Sequence, residues 1–267
     1  MSSDGASHNE FDLEFLGNRT GEPYLVQSNL YINGVGNREQ RMDLWFDPTA
    51  DFHAYSILWN PRQVVFLVDD TPIRVFSNQE HRGIVFPRDQ PMGIYSSIWN
   101  ADDWATEGGR VKTDWSHAPF VATFRGLRID GCEWASTAEG PAEVQRCSAS
   151  AWGKEGRYWW KEKEMEALSV HQSHQLIWAR ANHLVYDYCS DPARCLWQWT
   201  VCILTASVPS QFTEPTECDG GHNRLRIAKV KLLDSILKRL EKLVKPRASS
   251  APGKSSAEQS VAISQRM

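Results

Sequence analysis

Short apolar and β-branched runs recur along the first half of the chain, with turn residues between them. The run at 63–68, QVVFLV, is followed by the turn residues Asp69-Asp70-Thr71-Pro72 and by a second run at 73–76, which predicts a β-hairpin. Further strands are predicted at 43–46, 54–59, 92–99 and 120–129. Many short strands at such a spacing predict a β-sandwich or barrel.

The pattern changes after Cys132. Residues 135–156 are rich in Gly, Ala and Ser and predict a loop, whereas 168–180 and 222–246 have helical periodicity. His171 and His174 are three residues apart on the first of these helices. Their spacing could serve a metal, but no third ligand is close in sequence, so we expect a polar helix face. The second helix is basic and amphipathic, and the composition of 247–267 predicts a disordered tail.

The composition allows a substantial core. Of its 267 residues, 41% are hydrophobic. The mass is 30.4 kDa, so one large or two small folded domains are expected. No apolar run reaches the roughly 18 residues that cross a bilayer, which excludes a transmembrane segment. Tryptophan is abundant, with 12 residues, and its flat face suits the binding of sugars or bases.

The charge is distributed unevenly. Residues 1–221 contain 18 Lys and Arg against 30 Asp and Glu, and residues 222–267 contain 11 against 3. An acidic body repels polyanions, so nucleic acid is not expected as the ligand. A neutral polymer or a carboxylate-based site fits this charge better.

Six cysteines occur without a CxxC pair, which argues against a thiolate zinc site. An even number of cysteines and the sequon Asn18-Arg19-Thr20 both suggest the secretory route. The first ten residues, MSSDGASHNE, have no apolar stretch, so no signal peptide is predicted there.

The most informative stretch is 8–17, HNEFDLEFLG, which alternates between two faces. Phe11, Leu13 and Phe15 are expected in a core, and three acids share the other face, namely Glu10, Asp12 and Glu14. A solvated strand face is the alternative. We consider it less probable because neighbouring like charges repel and because Asp and Glu are poor strand formers.

Cleavage of a glycosidic bond would explain this row. A retaining mechanism needs a carboxylate nucleophile and a carboxylic acid about 5–5.5 Å apart. The outer two acids can meet this need if the strand curves and their side chains lean together. The central Asp would then share a proton with the nucleophile and help to separate the two pKa values.

At this point the chain resembles a known family. HNEFDLEFLGN at 8–18 is similar to the active-site strand of plant xyloglucan endotransglucosylase/hydrolases, which belong to glycoside hydrolase family 16. The resemblance covers most of 1–194 and a short stretch that ends at Cys218. It extends through NREQ at 37–40, LWFDPT at 44–49, DTPIR at 70–74, WNADDWAT at 99–106 and KTDW at 112–115.

The resemblance implies a β-jelly-roll sandwich and assigns roles to individual residues. Glu10 would be the nucleophile, Asp12 its helper and Glu14 the acid/base. The residues that would line the glucan cleft are Glu14, Gln27, Ser28, Asn29, Asn37, Arg38, Glu39, Asp103, Trp104, Gly108 and Arg194. Asn18 would carry a glycan, the disulfides would be Cys132–Cys147 and Cys189–Cys218, and neither a metal nor an organic cofactor is implied.

The chain departs from the family pattern in three places. The family has several strands before the active-site strand, and this chain starts seven residues upstream of His8, so we expect a sandwich that lacks strands and has unpaired edges. Residues 195–211 replace a short Pro-rich link, and either a mis-joined exon or a genuine loop would explain them. The basic segment beyond Gly221 has no counterpart in the family, and we expect its helix to pack on the parent domain.

These observations give a domain plan and a function. We expect a catalytic sandwich at 1–130, a C-terminal extension with disulfides at 131–221, a basic helix at 222–246 and a tail at 247–267. By the resemblance, the protein is a secreted, monomeric cell-wall enzyme that cleaves xyloglucan and transfers the product to a xyloglucan oligosaccharide or polymer. A xyloglucan or β-glucan endohydrolase and a non-catalytic glucan-binding fragment are the alternatives.

Overall fold

The computed structural model describes residues 1–132 and 158–191, and the backbone of one further strand near the C-terminus. Antiparallel strands dominate this part of the chain. In chain order they are β1 (Glu10–Leu16), β2 (Leu25–Tyr31), β3 (Gln40–Asp43), β4 (Tyr55–Trp59), β5 (Gln63–Val68), β6 (Thr71–Ser77), β7 (Tyr95–Trp99), β8 (Leu184–Asp187) and β9 (Ala262–Arg266).

The strands form two sheets. The larger has the order β7-β9-β1-β2-β3-β8 and the smaller the order β4-β5-β6. Every pair of neighbouring strands is antiparallel, and the register of β1 and β2 places Glu10 opposite Tyr31 and Leu16 opposite Leu25. Strand β1, which carries the three acids, therefore lies in the interior of the larger sheet.

The hydrophobic core joins the two sheets. Phe11 and Leu13 of β1 are fully buried, and the Phe11 ring makes edge contacts with Trp59 at 5.3 Å and Phe66 at 6.5 Å between centroids. Burial of such side chains is the main driving force for pairing the sheets. The all-β jelly-roll sandwich predicted from the sequence is confirmed.

The predicted hairpin is confirmed as β5 and β6. The two residues that connect the strands, Asp69 and Asp70, both have left-handed backbone conformations, with φ of 46° and 62°. A two-residue hairpin turn of this kind requires positive φ at both positions, and Asp tolerates it better than most residues.

Helix α1 (Val170–His183) confirms the helix predicted at 168–180. The Ser169 side chain accepts a hydrogen bond from the Gln172 backbone N–H, and the Gln172 side chain accepts one from the Ser169 N–H, which forms a capping box. Leu176 and Ala179 are buried against the domain, whereas His171 is exposed, as expected for a polar face.

The strand predicted at 120–129 is wrong. This segment has no strand structure, and Val121 and Leu127 are 78% and 70% exposed. An alternating apolar segment becomes a strand only when a neighbour supplies hydrogen bonds, and no described strand pairs with it.

The strand predicted at 43–46 instead ends at Asp43, because the side chain of Asp47 accepts hydrogen bonds from the Thr49 backbone N–H and hydroxyl and starts a turn.

Strand β9 lies between β1 and β7, within the segment for which the composition predicts disorder. Its register places Ser264 opposite Glu14 and Arg266 opposite Asp12. The outer edge of β1, which we expected to be unpaired, is thereby paired. An open sheet edge presents free N–H and C=O groups, and hydrogen bonds to these groups can order a segment that has only a weak intrinsic preference for strand structure.

Within the described ranges, no helix is long and apolar enough to cross a membrane.

Candidate active site

The three acids predicted from the alternation of β1 lie on one face of the larger sheet. Their cross-strand neighbours on β2 are Tyr31 for Glu10, Asn29 for Asp12 and Gln27 for Glu14. Directly opposite residues share a face, so this row of three pairs forms the polar floor of the site. Glu10 and Asp12 are each only 4% exposed, and their ionisation therefore depends strongly on their neighbours.

Asp12 is held in its protonated form. The pKa of Asp12 rises to about 9, mainly because the side chain is buried. A hydrogen bond with Glu10 and the charges of Glu10 and Glu14 raise it further. Its Oδ1 is buried and has no hydrogen-bond partner among the described residues. A neutral Asp12 can donate a hydrogen bond to Glu10 and keep its own proton, so Glu10 remains the charged member of the pair.

The neighbours of Glu14 act on its pKa in opposite directions. Burial raises its pKa, and the negative charges of Glu39 and Glu10 act in the same direction. A hydrogen bond from Gln27 and the charge of Arg41 oppose the increase. A carboxyl group with a raised pKa is suited to donating a proton at neutral pH.

His8 lies beside Glu10 just before the strand begins. Its Nε2 is 3.7 Å from Glu10 Oε2, its Nδ1 donates to the carbonyl oxygen of Gly5 at 3.0 Å, and its ring stacks on Tyr31 at 5.4 Å. Burial and the nearby acids, Asp12 first, raise the pKa of the Tyr31 hydroxyl. Tyr31 and His8 thus close the end of the row next to Glu10.

The loop between β2 and β3 brings Asn29 and Arg38 together. Asn29 Oδ1 accepts hydrogen bonds from the Leu30 N–H at 2.9 Å and the Arg38 N–H at 3.1 Å. The guanidinium of Arg38 donates to the carbonyl oxygens of Leu30, Val35 and Gly36. Arg38 therefore fixes the shape of the loop, and burial lowers its pKa.

Ser28 is not placed with the acids. It pairs with Leu13 across the strands, is 2% exposed, and its hydroxyl accepts a hydrogen bond from Arg74 at 3.1 Å on the core side of the sheet. The expectation that Ser28 lines the cleft is corrected here, because adjacent residues of a strand point to opposite faces. The resemblance matched a run of three positions, and only the outer two share the face of the acids.

The loop after β7 carries Asp103, Trp104 and Gly108. Trp104 comes close to the sheet, since the Arg41 guanidinium lies 5.8 Å from its ring. Asp103 and Gly108 are exposed, and Gly108 has a left-handed backbone with φ of 68°. Asn37, in the loop between β2 and β3, is also exposed and has a left-handed backbone, with φ of 64°. The structure thus brings Trp104 to the site and leaves the other three on the surface around it.

Arg41 is a residue of the site that the sequence analysis missed. It stands opposite Gln27 in the pairing of β2 with β3, and its Nε donates to Gln27 Oε1 at 2.7 Å. One signal was available, because Arg41 follows Glu39 by two residues and so lies on the same face of the chain.

The remaining expected features are described only in part. Asn18 is partly exposed, and its side-chain amide donates to the Pro23 carbonyl oxygen at 2.9 Å. Cys132 and Cys189 are both disulfide-bonded. Their expected partners, Cys147 and Cys218, and the expected cleft residue Arg194 lie outside the described residues. Across the described residues, no cluster of three or more His, Cys, Asp or Glu side chains could hold a metal ion.

Comparison with known families and proteins agrees with this geometry. Residues 1–117 match the family described as "Glycosyl hydrolases family 16", and residues 154–197 match "Xyloglucan endo-transglycosylase (XET) C-terminus". Over 194 residues, which are 73% of this chain, the chain is 70% identical to "Xyloglucan endotransglucosylase protein 6" of Diospyros kaki. Over the same length it is 62% identical to "Xyloglucan endotransglucosylase/hydrolase protein 9" of Arabidopsis thaliana. The matched region spans 64% of each of these relatives.

Proposed function

The chain belongs to glycosyl hydrolase family 16, and on this premise we propose that it cleaves the β-1,4-glucan backbone of xyloglucan and transfers the glycosyl group to another xyloglucan chain. The names of its relatives support the substrate and the transfer reaction. The observation that carries the proposal is the row Glu10, Asp12 and Glu14, in which Asp12 is held neutral between two acids of different surroundings.

The reaction proceeds in two steps. Glu10 attacks the anomeric carbon and forms a covalent glycosyl-enzyme, while Glu14 gives its proton to the departing glycosidic oxygen. Glu14, now ionised, removes the proton from the acceptor hydroxyl, which attacks the anomeric carbon and releases Glu10. Asp12 donates a hydrogen bond to Glu10 in the free enzyme, and this bond weakens when the Glu10 carboxylate loses its charge to the ester.

The surrounding residues hold the glucan chain. We assign this role to Gln27, Asn29, Glu39 and Trp104 near the sheet and to the exposed residues Asn37, Asp103 and Gly108. We assign it also to Arg194, which lies outside the described residues. Arg38 contributes by fixing the loop that carries Asn37 and Glu39. The flat indole of Trp104 supplies an apolar face of the kind on which a sugar ring stacks.

On the same premise we assign the protein to the cell wall. The disulfide-bonded Cys132 and Cys189 fit an oxidising compartment, and we assign their partners as Cys147 and Cys218. Asn18 then carries an N-linked glycan. Catalysis is assigned to residues 1–130, and residues 131–221 are assigned to the C-terminal extension that carries the disulfides.

Hydrolysis is the second candidate, since one relative is named endotransglucosylase/hydrolase. Water would then replace the sugar hydroxyl in the second step. The two reactions differ in a measurable product, because hydrolysis creates one new reducing end for each bond that is cleaved and transfer creates none.

The test is the incorporation of a labelled xyloglucan oligosaccharide into high-molecular-weight xyloglucan. We expect incorporation by the wild-type chain, none by Glu10→Ala, and normal incorporation by Glu22→Ala, which removes an exposed carboxylate away from the row. A rise in reducing ends without incorporation would assign the hydrolase instead. Binding of the oligosaccharide without any turnover would contradict both enzymatic functions.

A further inference from the structure

Arg41 makes cation–π contacts with two aromatic rings at the edge of the site. Its guanidinium carbon lies 5.8 Å from the centre of the Trp104 ring and 5.5 Å from the centre of the Tyr186 ring. Tyr186, on β8, is itself fixed, because its hydroxyl donates to Asp191 Oδ2 at 2.7 Å. Two cation–π contacts limit the orientations that the guanidinium can take.

From this position Arg41 reaches Glu14 through one intervening side chain. Arg41 Nε donates to Gln27 Oε1 at 2.7 Å, and Gln27 Nε2 donates to Glu14 Oε1 at 3.2 Å. The direction of this relay is determined by chemistry, since a guanidinium has only donors. The amide oxygen of Gln27 must therefore face Arg41, and its nitrogen must face Glu14.

We propose that Arg41 is a positioning residue for the acid/base step, because it fixes the amide of Gln27 so that Glu14 Oε1 accepts a hydrogen bond and Oε2 carries the transferable proton. This inference rests on the proposed function. The proton leaves Oε2 for the glycosidic oxygen as the bond to the anomeric carbon breaks, and in the second step Oε2 receives the proton of the acceptor hydroxyl. Without Arg41 the amide can rotate by half a turn and present its oxygen to Glu14.

The charges around Glu14 make this relay measurable. Among the described residues, Glu39, Glu10 and Asp12 are the acidic groups that face it, Arg41 is the cation that lowers its pKa, and Gln27 lowers it by hydrogen bonding. On the other side of β1, Ser264 is the register partner of Glu14, and Arg266 is the register partner of Asp12. Loss of Arg41 therefore raises the pKa of Glu14, and the basic limb of the activity profile moves to higher pH.

The experiment compares Arg41→Met with the wild type on two substrates. Xyloglucan needs a protonated leaving group, whereas an activated aryl β-glycoside does not. We expect kcat/KM for xyloglucan to fall about 10- to 100-fold, within the range that general acid catalysis supplies, and kcat/KM for the aryl glycoside to fall less than about threefold. Arg62→Met is the control, since it removes an Arg whose side chain is 64% exposed and lies 3.7 Å from Glu166.

A double-mutant cycle separates the relay from a general loss of structure. If Arg41 acts through Gln27, then Gln27→Ala costs about as much as Gln27→Ala combined with Arg41→Met. Additive costs, or an equal loss on both substrates, would overturn the inference.

The inference can also be tested without turnover. Failure of the wild type on both substrates would contradict the proposed function, and the titration of the Glu14 carboxyl group, followed by ¹³C NMR, would still decide the role of Arg41. A shift to higher pH in Arg41→Met supports the relay, and an unchanged titration overturns it.

Discussion

The guanidinium of Arg74 crosses the core from β6 and donates to the backbone carbonyl oxygen of Ser28 on β2, at 2.9 Å. The same Nη1 donates to the Ser28 hydroxyl at 3.1 Å, and the guanidinium lies 5.7 Å from the rings of both Phe66 and Tyr188. Arg74 is 2% exposed, and burial lowers its pKa to about 10. A buried cation thus links the smaller sheet to the core side of β2, the strand next to the three acids.

This link gives different expectations for two substitutions of Arg74. Arg74→Ala leaves a cavity and removes both hydrogen bonds, so the free energy of unfolding is expected to fall by about 2–4 kcal/mol. Arg74→Met retains most of the volume and removes the cost of burying a charge, so the change is expected to stay within about 1 kcal/mol. Urea unfolding of both variants at pH 7 makes the comparison. Equal losses in the two variants would show that the hydrogen bonds, and not the packing, dominate.

The protonation of Asp12 makes the stability of the folded protein depend on pH. Its pKa is raised in the folded protein to about 9 from an ordinary value of 3.8, so the folded state binds the extra proton between these two values. The stability that this proton provides is complete below the lower pKa and is lost as the pH rises toward 9, by at most about 1.4 kcal/mol per pH unit.

Asp12→Asn removes this dependence because an amide does not titrate. The variant is expected to be more stable than the wild type at pH 7, and the difference is expected to grow up to about pH 9. Urea unfolding at pH 5, 7 and 9 measures it, with the exposed Asp89→Asn as the control. Stability curves that run parallel for Asp12→Asn and the wild type would contradict the assignment of the proton to Asp12.

Glu14→Gln removes the proposed acid and base but leaves the nucleophile. We expect activity on xyloglucan to fall about 10²- to 10⁴-fold, because the leaving group is no longer protonated. An aryl β-glycoside with a good leaving group still forms the covalent intermediate, and added azide, which needs no general base, then releases a β-glycosyl azide. The glycosyl azide is detected by NMR. Its formation by Glu10→Gln as well would contradict the separate roles of the two acids.

The exposed apolar segment at 120–129 is expected to promote self-association. Leu127 is 70% exposed, so Leu127→Lys should change the free energy of unfolding by less than about 0.5 kcal/mol while it lowers light scattering at high protein concentration. Leu30→Lys, at a fully buried position, is the contrasting variant and is expected to prevent folding. A large destabilisation by Leu127→Lys would show that the segment is packed in solution.

Much of the site was predictable because it is local in sequence. The alternation at 10–15 determines that Glu10, Asp12 and Glu14 share one face of β1 and that Phe11 and Leu13 enter the core, since side chains of a strand alternate with a period of two. The hairpin at 63–77 and helix α1 were also predicted from local signals, namely turn residues between two apolar runs and a helical periodicity.

Other features were decided only by contacts between distant residues. The relay from Arg41 to Glu14 depends on the register of three strands, and the hydrogen bond from Arg74 to Ser28 joins residues 46 positions apart in the chain. Strand pairing also determined that 120–129 pairs with no strand of the described residues while Ala262–Arg266 lies beside β1. The sequence alone therefore determined which residue types line one strand. The tertiary structure decided which of them ionise and which segments become strands, because pKa values and sheet hydrogen bonds depend on neighbours that are far away in the chain.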